Sequence, residues 1–211
     1  MRTRARRVAV LVFDEVELLD VAAPVEALSL AGRRWNFRPF KVELVGESPG
    51  LVATRNQIRL EATRDLSAAA GAEIVIVPGG YGARRLCETE TLREELTALL
   101  AGAELVGAIG WGVALAARAG CAAGARVAVP DDARAALLEH APDAVFEAHD
   151  AVVRTGRLIS ARASGAALEL GLALIQHTLG PKLVAMVSAD LGLDRVANRE
   201  RIDIRYGPPK P

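Results

Sequence analysis

The sequence lacks any readable metal-binding or disulfide framework. Its 211 residues contain two cysteines, Cys87 and Cys121, and three histidines. No CxxC and no zinc-type Cys/His spacing occurs, so no metal site and no disulfide scaffold is expected. An excess of one charge is missing too: Lys plus Arg and Asp plus Glu both number 26, for a formal net charge of zero. Without a positive field the chain has little to attract DNA, RNA or an anionic membrane, and no nucleic-acid partner is expected. Long hydrophobic runs are absent as well. Val8 to Phe13 and Ile74 to Val77 fall far short of the roughly 18 residues a membrane span needs. The basic start MRTRARR leads into an apolar run that Asp14 and Glu15 cut off, with no cleavage pattern behind it. The reading is a cytoplasmic chain that does not enter the membrane.

What is present describes one domain over residues 1–211. Hydrophobic residues make up 51% and charged residues 25%, enough to build a sizeable core. Residues 1–6 read as a basic tail and 203–211 as an extended Pro-rich arm. Of the 26 basic residues 23 are arginine. A GC-rich genome accounts for most of them, which leaves room for a few that bind planar anions.

The segment RVAVLVF at 7–13 is short, β-branched and continuously apolar, as a strand covered on both faces should be. Apolar residues from Val16 to Leu30 then recur at helical spacing up to Gly32. FKVELVG at 40–46 alternates like a half-buried strand, and 51–60 reads as a hairpin. EIVIVPGG at 73–80 is a further buried strand ending in a glycine turn, followed by a charged helix from about Thr89 to Leu100. ELVGAIG at 104–110 runs straight into the helical WGVALAARAG. Later come a helix from Asp131 to His140, a hairpin around Thr155-Gly156, and helices from Ala166 to Leu179 and from Lys182 to Leu193. Buried strands alternating with helices predict an α/β sandwich of the flavodoxin-like kind, mostly parallel, with helices on both faces.

In such a sheet ligands bind at the carboxyl ends of the strands. Three unusual segments reach that edge. Asp20 interrupts the apolar helix face in LLDVAAPVE; a lone Asp there caps or points outward as readily as it does chemistry. Pro78-Gly79-Gly80 allows a sharp turn that presents amide N–H groups, although a plain turn has the same sequence. Ile109-Gly110-Trp111-Gly112 has the strand-to-helix spacing of a nucleophile elbow.

Taken together these segments resemble the ThiJ/PfpI superfamily, a class I glutamine amidotransferase-like group, and within it the isonitrile hydratase branch. LLDVAAPVE matches that branch's LD…GPxE through Asp20, Pro24 and Glu26. IVPGGYG matches its strand ending in PGG, and IGWGVALAARAGCAAG its elbow VCTGxxxLAxAGLLxG. TGRLISARASGAALE and RYGPPKP match its later hairpin segment and tail. The resemblance implies the same fold over nearly the whole chain. It places the family's nucleophilic cysteine at Gly110 and a frequent histidine at Pro130, both missing here. Glycine has no side chain to attack with, so thiolate chemistry of the hydratase, deglycase or peptidase kind is not carried over.

The resemblance also implies what is kept. The carboxyl at Asp20 serves as proton donor or acceptor, and the N–H groups of Gly80 and Trp111 form an oxyanion hole that needs no side chain. Trp111 and Arg162 stand where the family has small residues. Trp111 is either packing or pocket wall, and Arg162 either turns to solvent or binds a carboxylate or enolate oxygen. With Tyr81 it is expected to orient substrate; Glu26 is a secondary match. Cys87, after the PGGYG turn, is either a displaced nucleophile or, with no base beside it in the sequence, a small apolar filler like Cys121. His140 reads as solvated or capping at a helix end, His149 matches a position before the hairpin with no chemical role, and His177 reads as surface.

The leading expectation is a cofactor-independent enzyme acting on a small molecule, a lyase, hydratase, isomerase or cyclase in which Asp20 is the general acid/base. The alternative is a catalytically silent binding or sensing protein on the same scaffold. A regulator with its own DNA-binding module is not expected, since the sequence stops at Pro211. A homodimer is expected from the resemblance, and Ala31 to Phe40, with Trp35 and Phe37 among arginines, has the composition of an interface.

Overall fold

The computed structural model describes residues 4–33, 37–89 and 93–193. Trp35, in the expected interface segment, and the expected arm at 203–211 lie outside the described residues. In chain order the elements are β1 (Arg6–Leu11), α1 (Leu18–Leu30), β2 (Phe40–Gly46), β3 (Gly50–Ala53), β4 (Arg59–Ala62), β5 (Arg64–Asp65) and β6 (Ile74–Val77). Then follow α2 (Tyr81–Glu88), α3 (Arg93–Gly102), β7 (Leu105–Ile109), α4 (Trp111–Arg118), β8 (Arg126–Val127), α5 (Arg134–His140) and β9 (Val145–Phe146). The chain closes with β10 (Val152–Thr155), β11 (Leu158–Ala161), α6 (Ala167–Leu179) and α7 (Pro181–Asp190).

Seven strands form one sheet in the order β10-β11-β7-β6-β1-β2-β5. Every pairing in it is parallel except β10 with β11, the hairpin expected around Thr155-Gly156. Strand residues alternate between two cores, as a period of two requires. Val8, Val10, Ile74 and Ile76 point into the layer with α1 and α6, while Ala9, Leu11, Val75 and Val77 point into the layer with α3, α4 and α5. Each fully buried Val or Ile contributes roughly 1.5–3 kcal/mol by leaving water. The α/β, mostly parallel, flavodoxin-like expectation is met, with helices on both faces.

Several boundaries differ from the sequence reading; among them, the helix expected from Asp131 opens with a 3-10 turn before α5, and α7 ends at Asp190 rather than Leu193. The strand begins at Arg6, inside the expected tail, because the Arg6 N–H donates to Pro39 O at 2.8 Å. Val16 does not belong to α1; it forms an antiparallel bridge with Gly80. The single helix expected from Thr89 is preceded by another, α2, a short eight-residue helix that follows directly on the glycine turn. No helix among the described residues is long and apolar enough to cross a membrane.

Connections leave β1 toward β2 on one side and return to β6 on the other, so the strand order reverses between β1 and β6. At such a switch point the loops diverge and open a crevice beyond the strand ends. The β6–α2 turn, the start of α1 and the β7–α4 junction all meet there.

Candidate active site

Few polar side chains are fully buried, and two of the three described are consumed structurally. Thr54 Oγ1 accepts the Ile58 N–H at 3.1 Å. Ser160 Oγ accepts the Ala128 N–H at 2.9 Å and donates to Val153 O. Asp20 is the exception. It is 1% exposed; its Oδ2 accepts the Gly79 N–H at 2.9 Å, and its Oδ1 has no partner among the described residues. Burial pushes the carboxyl from 3.8 to about 6; the Ser164 hydroxyl and Gly79 N–H pull it down, and Glu17 pushes it up. With Oδ2 occupied by a donor, a proton on the acid resides on Oδ1.

Gly79 is where the segments converge. A Cβ placed on it would lie 2.8 Å from Ile109 O, 3.0 Å from Asp20 Oδ2 and 3.2 Å from Trp111 N. The Asp20 carboxyl and the first amide of α4 are therefore within about 6 Å of each other. That amide opens a helix and has no acceptor within it. Gly80, with φ 104°, bends the chain into α2 as the bridge to Val16 forms.

At the elbow Gly110 has φ 55° and ψ −125°, and a Cβ there would meet nothing within 4 Å. Its own N–H donates to Ala161 O at 2.9 Å. The strand-to-helix turn thus has the backbone of an elbow, which glycine adopts without the strain another residue would bear, and it faces open space where a side chain would project. Both real thiols lie elsewhere. Cys87 is in α2, packed against the core around α4, and burial pushes its thiol up to about 11 despite Arg118. Cys121 follows α4 and is also pushed up by burial.

The DJ-1/PfpI family matches residues 6–177. The chain belongs to this family. DJ-1beta of Drosophila melanogaster superposes with a TM-score of 0.75 at 21% identity, over 89% of this chain and 98% of that one. A THiJ/PfpI family protein of Pseudomonas syringae gives 0.81 at 16% identity, over 96% and 79%. A DJ-1 superfamily protein of Salmonella typhimurium gives 0.70 at 25%, over 89% and 98%. No curated protein is similar to the chain at the level of sequence.

Within this DJ-1/PfpI scaffold the remaining expected residues separate. Tyr81 begins α2 and is 52% exposed; its hydroxyl lies 3.4 Å from Arg55 Nη2, and the Arg55 guanidinium stacks 4.4 Å from its ring. Trp111 is half-buried, its indole N–H donating to Asp132 Oδ2 at 3.0 Å and its ring facing Arg84. Arg162 Nη2 donates to Glu147 O at 2.9 Å and Asp150 O at 3.0 Å, so this guanidinium ties down the chain before β10. Glu26 is solvent-facing and pairs with Arg33 at 3.5 Å, on a different part of α1 from Asp20.

Sequence reasoning missed Ser164, Glu17 and Arg55. Ser164 begins a short 3-10 turn packed beside α1. Arg55, on the β3–β4 hairpin, donates its N–H to Val16 O at 3.1 Å and pairs with Glu17 at 3.6 Å. The Ser in ARASGAALE was the one available signal; nothing local in the sequence marks the hairpin arginine. Among the described residues no three His, Cys, Asp or Glu side chains gather as a metal site would require.

Proposed function

We propose that this DJ-1/PfpI protein is a cofactor-independent enzyme that works without a thiol, on the isonitrile hydratase-like branch of the family. The elbow position that would carry the family's cysteine is Gly110, and proton transfer falls to Asp20. One observation carries this reading: a fully buried carboxyl, one oxygen fixed by Gly79, has no hydrogen bond formed at its other oxygen among the described residues and only the Ser164 hydroxyl as a neighbouring donor, beside an elbow that ends in open space. Near neutral pH a carboxyl at about 6 exchanges protons readily in both directions, as a general acid/base must. The N–H groups of Gly80 and Trp111 stabilise a developing oxyanion without reorganising. The reaction is hydration, dehydration, isomerisation or ring closure of a small molecule, with proton transfer next to a carbonyl as its common step.

The Asp20 side chain is 1% exposed, which favours a second reading, a silent binding protein with a buried structural acid. The two separate in D2O. Wild-type protein incubated with a panel of small ketones, enols and unsaturated acids incorporates deuterium next to the carbonyl of its substrate, read by mass spectrometry. Asp20→Asn loses that incorporation about 100-fold or more. Equal incorporation by wild type and variant overturns the acid/base role, and none by either supports the silent reading. A homodimer belongs to the same proposal; a monomer by light scattering at micromolar concentration counts against it.

A further inference from the structure

Beside the Asp20 site, on the other side of the loop that follows β1, lies a cavity of about 520 Å³. Neither Asp20, Gly79, Gly80 nor Trp111 lines it. Its floor is the carboxyl ends of β1 and β2, and its walls include Phe13, Leu66, Leu86, Leu96 and Leu115. A volume of a few hundred Å³ with mostly apolar walls and a few polar groups is characteristic of small-molecule sites.

The charges on its lining are unequal. Arg85 is the cationic group there, and it is paired with Glu15. Asp14 and Glu47 also line the cavity, and neither has a cationic partner among the described residues. Asp14 Oδ1 accepts the Ala53 N–H at 2.9 Å, which orients the carboxylate without neutralising it. Asp14 and Glu47 are solvent-exposed at the rim of an apolar hollow, and the one arginine on the lining is already paired with Glu15, so the rim carries an excess of negative charge that complements a ligand with one protonated amine and an apolar body.

We propose that this cavity is a second ligand site, distinct from the Asp20 site, for a small hydrophobic amine. The ammonium group sits between Asp14 and Glu47, and the apolar body lies among Phe13, Leu66, Leu86 and Leu96. A carboxylate-bearing isostere is repelled by the same pair.

The test uses three matched probes on the full chain: 2-(1-naphthyl)ethylamine, 1-naphthaleneacetate and the neutral 2-(1-naphthyl)ethanol. Backbone amide NMR shifts locate binding and titration gives the affinities. The amine is expected to bind one to one, with shifts centred on residues 11–14, 46–52 and 82–86, at least tenfold tighter than the carboxylate. Asp14→Asn with Glu47→Gln, which keeps the acceptor for Ala53, removes that preference and leaves the alcohol's affinity unchanged. Leu86→Trp fills the hollow and abolishes binding of the amine; Val52→Phe serves the same purpose if that variant fails to fold. Failure of all three probes, no amine preference, or shifts centred on 79–80 and 110–112 would each overturn the proposal. None of these outcomes depends on Asp20 chemistry, so the reading of the active site stands or falls separately.

Discussion

The Gly79 N–H donates to Oδ2 of Asp20 at 2.9 Å, and this contact ties the first helix to the strand edge on which the site is built. It leaves Oδ1 buried without a formed hydrogen bond among the described residues, the Ser164 hydroxyl being the neighbouring donor. An orphaned buried oxygen costs stability whenever it is charged, so Asp20 reports on itself through the pH dependence of folding.

In the unfolded chain the carboxyl titrates near 3.8 and in the fold at about 6. The native state therefore holds more protons between these values, and its stability falls as pH rises through that window. Above pH 7 the penalty is complete, up to about 3 kcal/mol, since each pH unit separating the folded and unfolded titrations corresponds to roughly 1.4 kcal/mol. Asp20→Asn cannot ionise and escapes it. Urea unfolding at pH 5 and pH 8 should show wild type losing stability relative to the variant at the higher pH. A constant difference between the two proteins would mean that burial does not raise this acid.

Gly79→Ala tests the convergence itself. Its methyl would sit 2.8 Å from Ile109 O, a backbone atom that cannot swing aside, and 3.0 Å from Asp20 Oδ2. Overpacking of this kind costs roughly 1–3 kcal/mol, and the displaced carboxyl should regain water, lowering its pKa. The measurements are a thermal melt and the pH dependence described for Asp20; an unchanged melt would place Gly79 farther from the elbow than the geometry has it.

The buried strands were largely legible because runs such as IVIV at 74–77 carry a local signature, whereas their order in the sheet was not, and the Gly110 elbow was legible because a strand ran straight into a helix. Asp20 stood out as one polar residue on an apolar face. What no local pattern holds is the direction of long side chains. Arg162 had the chemistry of an anion binder, yet carbonyls 12 and 15 residues earlier claim its Nη2. Arg55 reaches Tyr81, 26 residues on, only through the hairpin's fold-back onto the β1–α1 loop. Likewise Glu26 shares a motif with Asp20 but not a helix face.

Arg162→Ala should behave as the loss of a structural brace. Removing a charged donor from two backbone carbonyls costs about 1.5–3 kcal/mol and should speed proteolytic cleavage between Glu147 and Asp150. Unchanged stability and unchanged cleavage would return the guanidinium to the groups free to meet a ligand.

Gly110→Cys puts the elbow to a test that requires no knowledge of the substrate. A Cβ at this position has nothing within 4 Å, so the cost is the backbone alone: a non-glycine residue at φ 55°, ψ −125° carries roughly 1–3 kcal/mol of strain. Gly110→Ala should show the same loss, which separates strain from chemistry. A thiol there stands at the N-terminus of α4, where unpaired N–H groups favour the thiolate. Cys87, held at about 11 by burial, and Cys121, also raised, have no such help. Iodoacetamide at pH 7 should therefore modify residue 110 of the variant at least tenfold faster than either native thiol, with the sites assigned by peptide mass mapping. Both halves of the comparison matter: a fast native thiol would restore a nucleophile to the wild-type protein, and a slow thiol at 110 would show that this turn does not activate one.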